Sequence, residues 1–337
     1  MDPHGAYGRG FELLGLRLGA VTNNPALLAA EEYFSGCVVH SLRTNILALA
    51  DVSPEDGVDG ALYAWDVEGP GQINAGETEV VAVGPFQRLE HSVKDPRYSL
   101  FGNLGLFFKF MMAMLERARG IMSFHASGLY HAAANELILV LGAPGAGKTV
   151  LLLAGLQRGF TLFSTEMTHL QATPEGWRFS KGALYDNVRL GTLLVDFPEV
   201  GRRLNLRTDH VQDVWGTKIA VDLSPFQTPQ DHLDNPKVAI LLPKIEAGRV
   251  RPEIQEVRDH EAIVRLLFTN ATEKIASSTL LYGTIPSGSL DTADLMRARY
   301  QRLDRYAASG GIALVQSILS APAHCLDGYD RHLAARK

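Results

Sequence analysis

The sequence predicts an α/β fold, with a glycine-rich loop of the phosphate-binding (P-loop) kind at its centre and a small, mostly β domain ahead of it. Three observations carry that expectation. A buried-strand run, Leu137 to Leu141, passes directly into Gly142-Ala143-Pro144-Gly145-Ala146-Gly147-Lys148-Thr149, then into an apolar stretch opening with Val150. From Ile121 onward, short apolar runs alternate with helix-like segments, the pattern of βα units. Before residue 100 no long helical period appears.

Taken in order, the first hundred residues offer β-prone runs at Cys37 to His40, Ile46 to Ala50, Ala61 to Trp65 and Glu79 to Val83. Turn-rich segments such as Pro54-Glu55-Asp56-Gly57 and Glu68-Gly69-Pro70-Gly71 separate them. Val93-Lys94-Asp95-Pro96-Arg97 reads as a linker, which sets the expected domains at residues 1–100 and 101–337. A helix is expected over Phe101 to Arg119. Its greasy part, Leu104 to Leu115, is broken by Lys109 and is too short to cross a bilayer, so it reads as a buried or subunit-interface helix. Further strands are expected at 137–141, 161–164, 168–172, 191–195, 218–222 and 238–242. Helices are expected at 147–158, 261–267, 292–308 and, briefly, 313–319. In the tail, Arg297, Arg299, Arg302 and Arg305 alternate with Asp294 and Asp304, the composition of a solvated helix face.

Bulk composition narrows the function. The 337 residues are long enough for two domains, and 46% apolar with 20% charged residues is ordinary for a folded protein. A net charge of −5 and the lack of a basic run interleaved with aromatics argue against nucleic-acid and anionic-membrane partners. Cys37 and Cys325 are too few for a disulfide scaffold or a zinc site. With Arg9, Glu12 and Arg17 interrupting any early apolar run, a cytoplasmic location is expected.

The loop carries the chemistry. A triphosphate needs several backbone N–H groups aimed inward at once, and glycines at 142, 145 and 147 let the chain wrap tightly enough to aim them. The helix opening near Gly147 adds the positive end of its dipole. Lys148 can then reach the β- and γ-phosphates, and the Thr149 hydroxyl can ligate Mg²⁺. The residues thus point to a nucleoside triphosphate and Mg²⁺ as ligands, held by Gly142, Ala143, Pro144, Gly145, Ala146, Gly147, Lys148, Thr149 and Val150, with the choice between ATP and GTP left open by the loop.

Three landmarks in fixed order extend this. Phe124-His125-Ala126-Ser127-Gly128 precedes the loop, and Arg158-Gly159-Phe160-Thr161-Leu162-Phe163-Ser164-Thr165-Glu166 follows it. The set resembles the catalytic core of HPr kinase/phosphorylase and its kinase relatives, well over about residues 121 to 172 and more weakly beyond. Lys237 to Pro243, followed by Gly248-Arg249, resembles that family's late strand and Pro-Gly-Arg loop. The resemblance implies a P-loop core of the HPr kinase/phosphoenolpyruvate carboxykinase type. It also implies an ATP- and Mg²⁺-dependent kinase acting on a hydroxyl of a small metabolite or of a seryl side chain in a peptide, with the N-terminal domain selecting the acceptor. His125 would stand near the γ-phosphate, Glu166 would ligate or orient the metal together with Thr149, and Arg249 would supply a cation. Relatives form rings or dimers, so a homo-oligomer is also implied.

One departure qualifies the picture. The family's strand ends in a pair of acids, and here Thr165 replaces the first, the proton acceptor. Phosphoryl transfer depends mainly on positioning and charge neutralisation, whereas a general base adds about 10²–10⁴-fold. The loss therefore slows a kinase without necessarily abolishing it, and Glu166 or a neutral His125 could take the proton. The alternative is a catalytically weak or inactive nucleotide-binding regulator.

Other groups could fill the same roles. Asp196 and Asp222 each end an apolar run suited to a metal-binding acid, and Lys244, Arg249 and Arg251 are candidate cations. Glu166-Met167-Thr168-His169 has Glu-x-x-His spacing, but in an extended chain these two ends point to opposite faces. His131 and His169 read as ordinary histidines. Ser127 lies outside any Gly-x-Ser-x-Gly elbow, and neither a Gly-x-Gly-x-x-Gly nor a His-Arg-Asp loop is present.

Overall fold

A computed structural model describes residues 6–28, 43–47, 57–90, 100–101, 105–206 and 212–336. The chain is mixed α/β and divides into two compact units. The first takes Met1–Ser123 and Ala271–Arg299; the second takes Phe124–Asn270 and Tyr300–Lys337. The unit that carries the glycine loop thus begins at Phe124 rather than near 101, and the chain leaves it once, for residues 271–299.

In the first unit, β1 (Tyr7–Leu13) and β2 (Leu16–Thr22) form a hairpin, closed by Leu14 and Gly15 in left-handed conformation. β3 (Arg43–Leu47) pairs with β1, while β4 (Gly60–Asp66) and β6 (Glu79–Gly84) run parallel to β2, and β5 (Gln72–Ala75) closes the far edge. The sheet order is β3-β1-β2-β4-β6-β5. A short helix, α1 (Phe86–Glu90), follows. The β-rich expectation for this region holds at 61–65 and 79–83. The Cys37–His40 run, residues 48–50 and the 93–97 linker lie outside the described residues.

Helix α2 (Leu106–Arg119) ends at Gly120 in left-handed conformation, and every residue from Leu106 to Glu116 is buried. Phe110 and Met114 lie over Gly60, where a Cβ would already meet both side chains, so helix and sheet approach closely. Even Lys109 is buried, its ammonium donating to Ser277 O at 2.6 Å. That burial, with Lys274 nearby, lowers its pKa to about 8. The helix is therefore covered within a single chain.

The second unit begins within β7 (Met122–Phe124) and is built on a six-stranded sheet. β8 (Ala126–His131), β9 (Glu136–Leu141) and β10 (Thr161–Ser164) are antiparallel neighbours in the order β10-β8-β9. Helix α3 (Lys148–Gln157) connects β9 to β10. β11 (Thr168–Thr173) and β12 (Gly176–Lys181) form a hairpin outside that sheet. Next comes a ribbon of β13 (Tyr185–Arg189) and β14 (Lys218–Asp222), spanning α4 (Pro198–Arg203), while β15 (His232–Asp234) joins β12. β16 (Lys237–Ile245) lies parallel to β9, and β17 (Glu253–Glu256) is the far edge strand.

Helix α5 (His260–Ala276) is capped by Asp259, which accepts from the Ala262 N–H, and runs well past the expected Leu267. The β18 (Thr279–Leu281) and β19 (Ile285–Ser287) hairpin belongs to the first unit. After α6 (Ala293–Ala308), β20 (Ile312–Ser320) inserts between β16 and β17, and α7 (Asp327–Ala334) ends the described chain. Leu129, Ile138, Val140, Leu152, Leu241 and Ile318 anchor the core between the sheet and α3.

Three expectations are corrected. Residues 313–319 are strand, not helix: as part of β20 they pair with a strand on each edge, so the run lacks an amphipathic alternation. Residues 191–195 are not a strand. Thr192–Asp196 forms one π-type turn, closed by Phe197 N to Thr192 O at 2.9 Å, with Pro198 opening α4 directly after. Arg299 is not on a solvated face. It is fully buried in the first unit, between Glu116 and Asp291. Among the described residues no helix is long and apolar enough to cross a membrane.

Candidate functional site

β9 is buried along its whole length and delivers the chain to the glycine loop. There Gly145 and Gly147 adopt φ of 83° and 101°. At Gly147 the space is closed as well, since a Cβ would stand 2.2 Å from Ile245 Cγ1. Ile245 N in turn donates to Ala146 O at 3.1 Å, so the end of β16 braces the loop from behind. Helix α3 opens at Lys148 with no side-chain hydrogen bond from its N-cap, Gly147, and its positive dipole end faces the loop. Ala143, Pro144 and Gly145 are exposed.

Lys148 arches back over the loop and donates from Nζ to Gly142 O at 2.6 Å. Thr149 Oγ1 donates to Asp186 Oδ2 at 2.8 Å. Asp186 was not among the expected residues. It stands on β13, which the spacing rules did not identify as a strand of the site. Burial pushes its carboxyl up to about 6, and the neighbouring negative charge of Glu166 pushes the same way; the Thr149 hydroxyl and Lys148 ammonium oppose both. Lys148, Thr149, Glu166 and Asp186 therefore form one electrostatic cluster.

The reason lies at Thr165. Its N–H donates to Ala183 O at 2.8 Å and its hydroxyl to Tyr185 O at 2.6 Å, while its own carbonyl accepts from the Ser127 hydroxyl. The residue that replaces the expected first acid is buried and acts as a clamp. It ties the end of β10 to the start of β13, one residue before Asp186, whose carboxyl feels the charge of Glu166. A threonine at 165 and a carboxylate at 186 are thus two parts of one arrangement.

His125 is buried at the turn into β8, two residues before Ser127, and its carbonyl accepts from Asn270 Nδ2 at 3.1 Å. Arg249 lies on the loop after β16, paired with Glu246 at 3.3 Å and Glu253 at 2.7 Å. Those carboxylates raise its pKa further and hold it on its own loop. Lys244 pairs with Glu246 as well. Of the competing acids, Asp222 accepts from the Ser224 N–H to cap a turn, and Asp196 sits on the π-type turn. His169 is buried in β11, and desolvation lowers its pKa to about 4, which suits a neutral core histidine.

Among the described residues, no group of three or more His, Cys, Asp and Glu could hold a metal ion by itself. A hard cation completed by phosphate oxygens and water needs no such cage. Thr149, Glu166 and Asp186 offer the oxygen donors that Mg²⁺ prefers, so the residues present fit that ion. The chain matches no protein-family model, and no curated protein matches its sequence.

Proposed function

We propose that this chain is an ATP- and Mg²⁺-dependent phosphotransferase of the HPr-kinase-like kind, passing the γ-phosphoryl group to a hydroxyl of a small metabolite or of a seryl side chain in a peptide. The observation that carries this reading is the Thr149–Asp186 hydrogen bond, with the charges of Glu166 and Lys148 both acting on that carboxylate. A loop that merely turned the chain would have no use for a carboxylate held on its hydroxyl.

In this reading the loop amides and the α3 N-terminus hold the β- and γ-phosphates, and Lys148 exchanges its bond to Gly142 O for a phosphate oxygen. Thr149, Asp186 and Glu166 would hold Mg²⁺, which supplies charge neutralisation on the phosphates. The acceptor oxygen attacks phosphorus in line, the bond to the ADP oxygen breaks, and the hydroxyl proton passes to His125 or a site carboxylate. Arg249 would have to leave Glu246 and Glu253 to reach the transferring group. Both pairs stand in solvent, which screens them, so they open readily.

The test is incubation with γ-labelled ATP, Mg²⁺ and a metabolite and peptide extract from the native cells, read by mass spectrometry. A species that gains phosphate with the native chain and not with Lys148→Ala supports the kinase and names the acceptor class. Tight ATP binding without any labelled product would overturn it in favour of a nucleotide-binding regulator. His125→Ala should cut turnover far more than nucleotide affinity.

A further inference from the structure

A second cleft of about 630 Å³ opens in the same unit, lined by His131, Ala133, Ala134, Arg158, Phe160, Asp330, Leu333 and Arg336. Its volume falls in the range of small-molecule sites. It lies at the opposite end of β9 from the glycine loop. Glu136 opens that strand and Leu141 closes it, so the two ends are roughly 16–17 Å apart. Helix α3 starts at one site and Arg158 follows its last turn at the other.

The cleft is a built one. Behind it, Glu136 is fully buried and accepts from the Tyr329 hydroxyl at 3.1 Å and from Arg336 Nη1 at 3.3 and 3.4 Å, with His332 Nε2 at 3.6 Å. Tyr329 is also 3.3 Å from His131 Nδ1, and the His131 ring lies 4.8 Å from that of Phe160. These contacts lock the positions of Arg336, His131 and Phe160. At the mouth, Arg158 Nη1 meets Asp330 at 2.8 Å, with side chains 34% and 47% exposed.

The lining therefore has three parts. Two guanidiniums offer forked donors, one half-exposed carboxylate offers acceptors, and Ala133, Ala134, Phe160 and Leu333 offer an apolar wall. A simple anion fits poorly, because the Asp330 carboxylate stands within the same rim as the two guanidiniums. A molecule that brings both charges together with an apolar body satisfies all three parts.

We infer that this cleft binds a zwitterionic α-amino acid with a large apolar side chain. The α-carboxylate lies against Arg158 and Arg336, the α-ammonium against Asp330, and the side chain against Phe160 and Leu333. Opening the partly exposed Arg158–Asp330 pair costs little, since the ligand's two charged ends replace what each partner loses. The inference is independent of phosphotransfer at the glycine loop.

Titration calorimetry of the full chain with L-phenylalanine and L-leucine tests it. Both should bind at millimolar concentration or below. N-acetyl-L-phenylalanine and L-phenylalaninamide, each missing one charge, should bind at least about tenfold more weakly, as should glycine. Arg158→Gln and Asp330→Asn should each weaken L-phenylalanine binding by a similar factor while keeping the native circular dichroism. Lys148→Ala should leave it unchanged. No binding of either amino acid, equal binding of the N-acetyl or amide form, or equal binding of inorganic phosphate would overturn the inference. The ligand analogues decide the matter even if a variant fails to fold.

Discussion

Thr149 Oγ1 and Asp186 Oδ2 stand 2.8 Å apart although 37 residues separate them in the chain. The bond joins the first turn of α3 to β13 and sets the Asp186 carboxylate, which also feels the charge of Glu166, on the hydroxyl beside the glycine loop. Asp186→Asn keeps the shape and removes the charge. In the proposed site it should weaken Mg²⁺-dependent ATP binding by about 10–100-fold and leave metal-free nucleotide binding nearly unchanged. Calorimetric titrations with Mg²⁺ and with EDTA separate the two; an equal loss in both would make Asp186 a structural residue only.

Gly147→Ala tests the loop itself. The new Cβ would meet Ile245 Cγ1 at 2.2 Å in a backbone with φ of 101°, so strain and clash add. The expected cost is about 1–3 kcal/mol of stability, with nucleotide affinity falling at least tenfold. Pairing it with Ile245→Ala should restore only part of the loss, because the backbone strain persists. Full recovery would show that the clash alone matters.

In the first unit, Arg299 bonds Glu116 through Nε at 2.8 Å, Asp291 through both Nη atoms at 2.9 Å, and Thr272 at 2.8 Å. Replacing it with Met strands two buried carboxylates and should cost about 3–5 kcal/mol. Arg299→Lys should recover little, since an ammonium cannot reproduce the fork. Urea unfolding at neutral pH measures both, and a loss below about 1 kcal/mol for the Met variant would refute the assignment.

His169 sets an acid-side limit on stability. Its ring takes up a proton only near pH 4 when folded, against an ordinary value of 6.5. Between those values the unfolded chain binds more protons, so stability falls as pH drops, by about 3 kcal/mol in all. Above pH 6.5 the penalty is absent. The stability difference between native protein and His169→Leu should therefore shift over that window; a pH-independent difference would contradict the buried neutral ring.

How much of this was legible in sequence depended on range. The glycine loop, the start of α3, the Arg158–Gly159 end and β10 follow from local backbone rules, since glycine freedom, capping and apolar runs act over a few residues. The apolar runs at 192–196 and 312–320 were ambiguous for the same reason. Each is short and fully compatible with strand or helix, and only the neighbours available for pairing chose between them.

By itself, the sequence determined the mixed α/β class, the placement of Lys148 and Thr149 at the opening of a helix, and the absence of an acid at position 165. Tertiary structure alone decided that Thr165 is a clamp, that Asp186 supplies a carboxylate beside Thr149, and that Arg299 is buried between two acids. The physical reason is that hydrogen bonds and charge pairs between distant strands obey no spacing rule. They exist only once sheet pairing has brought the strands side by side.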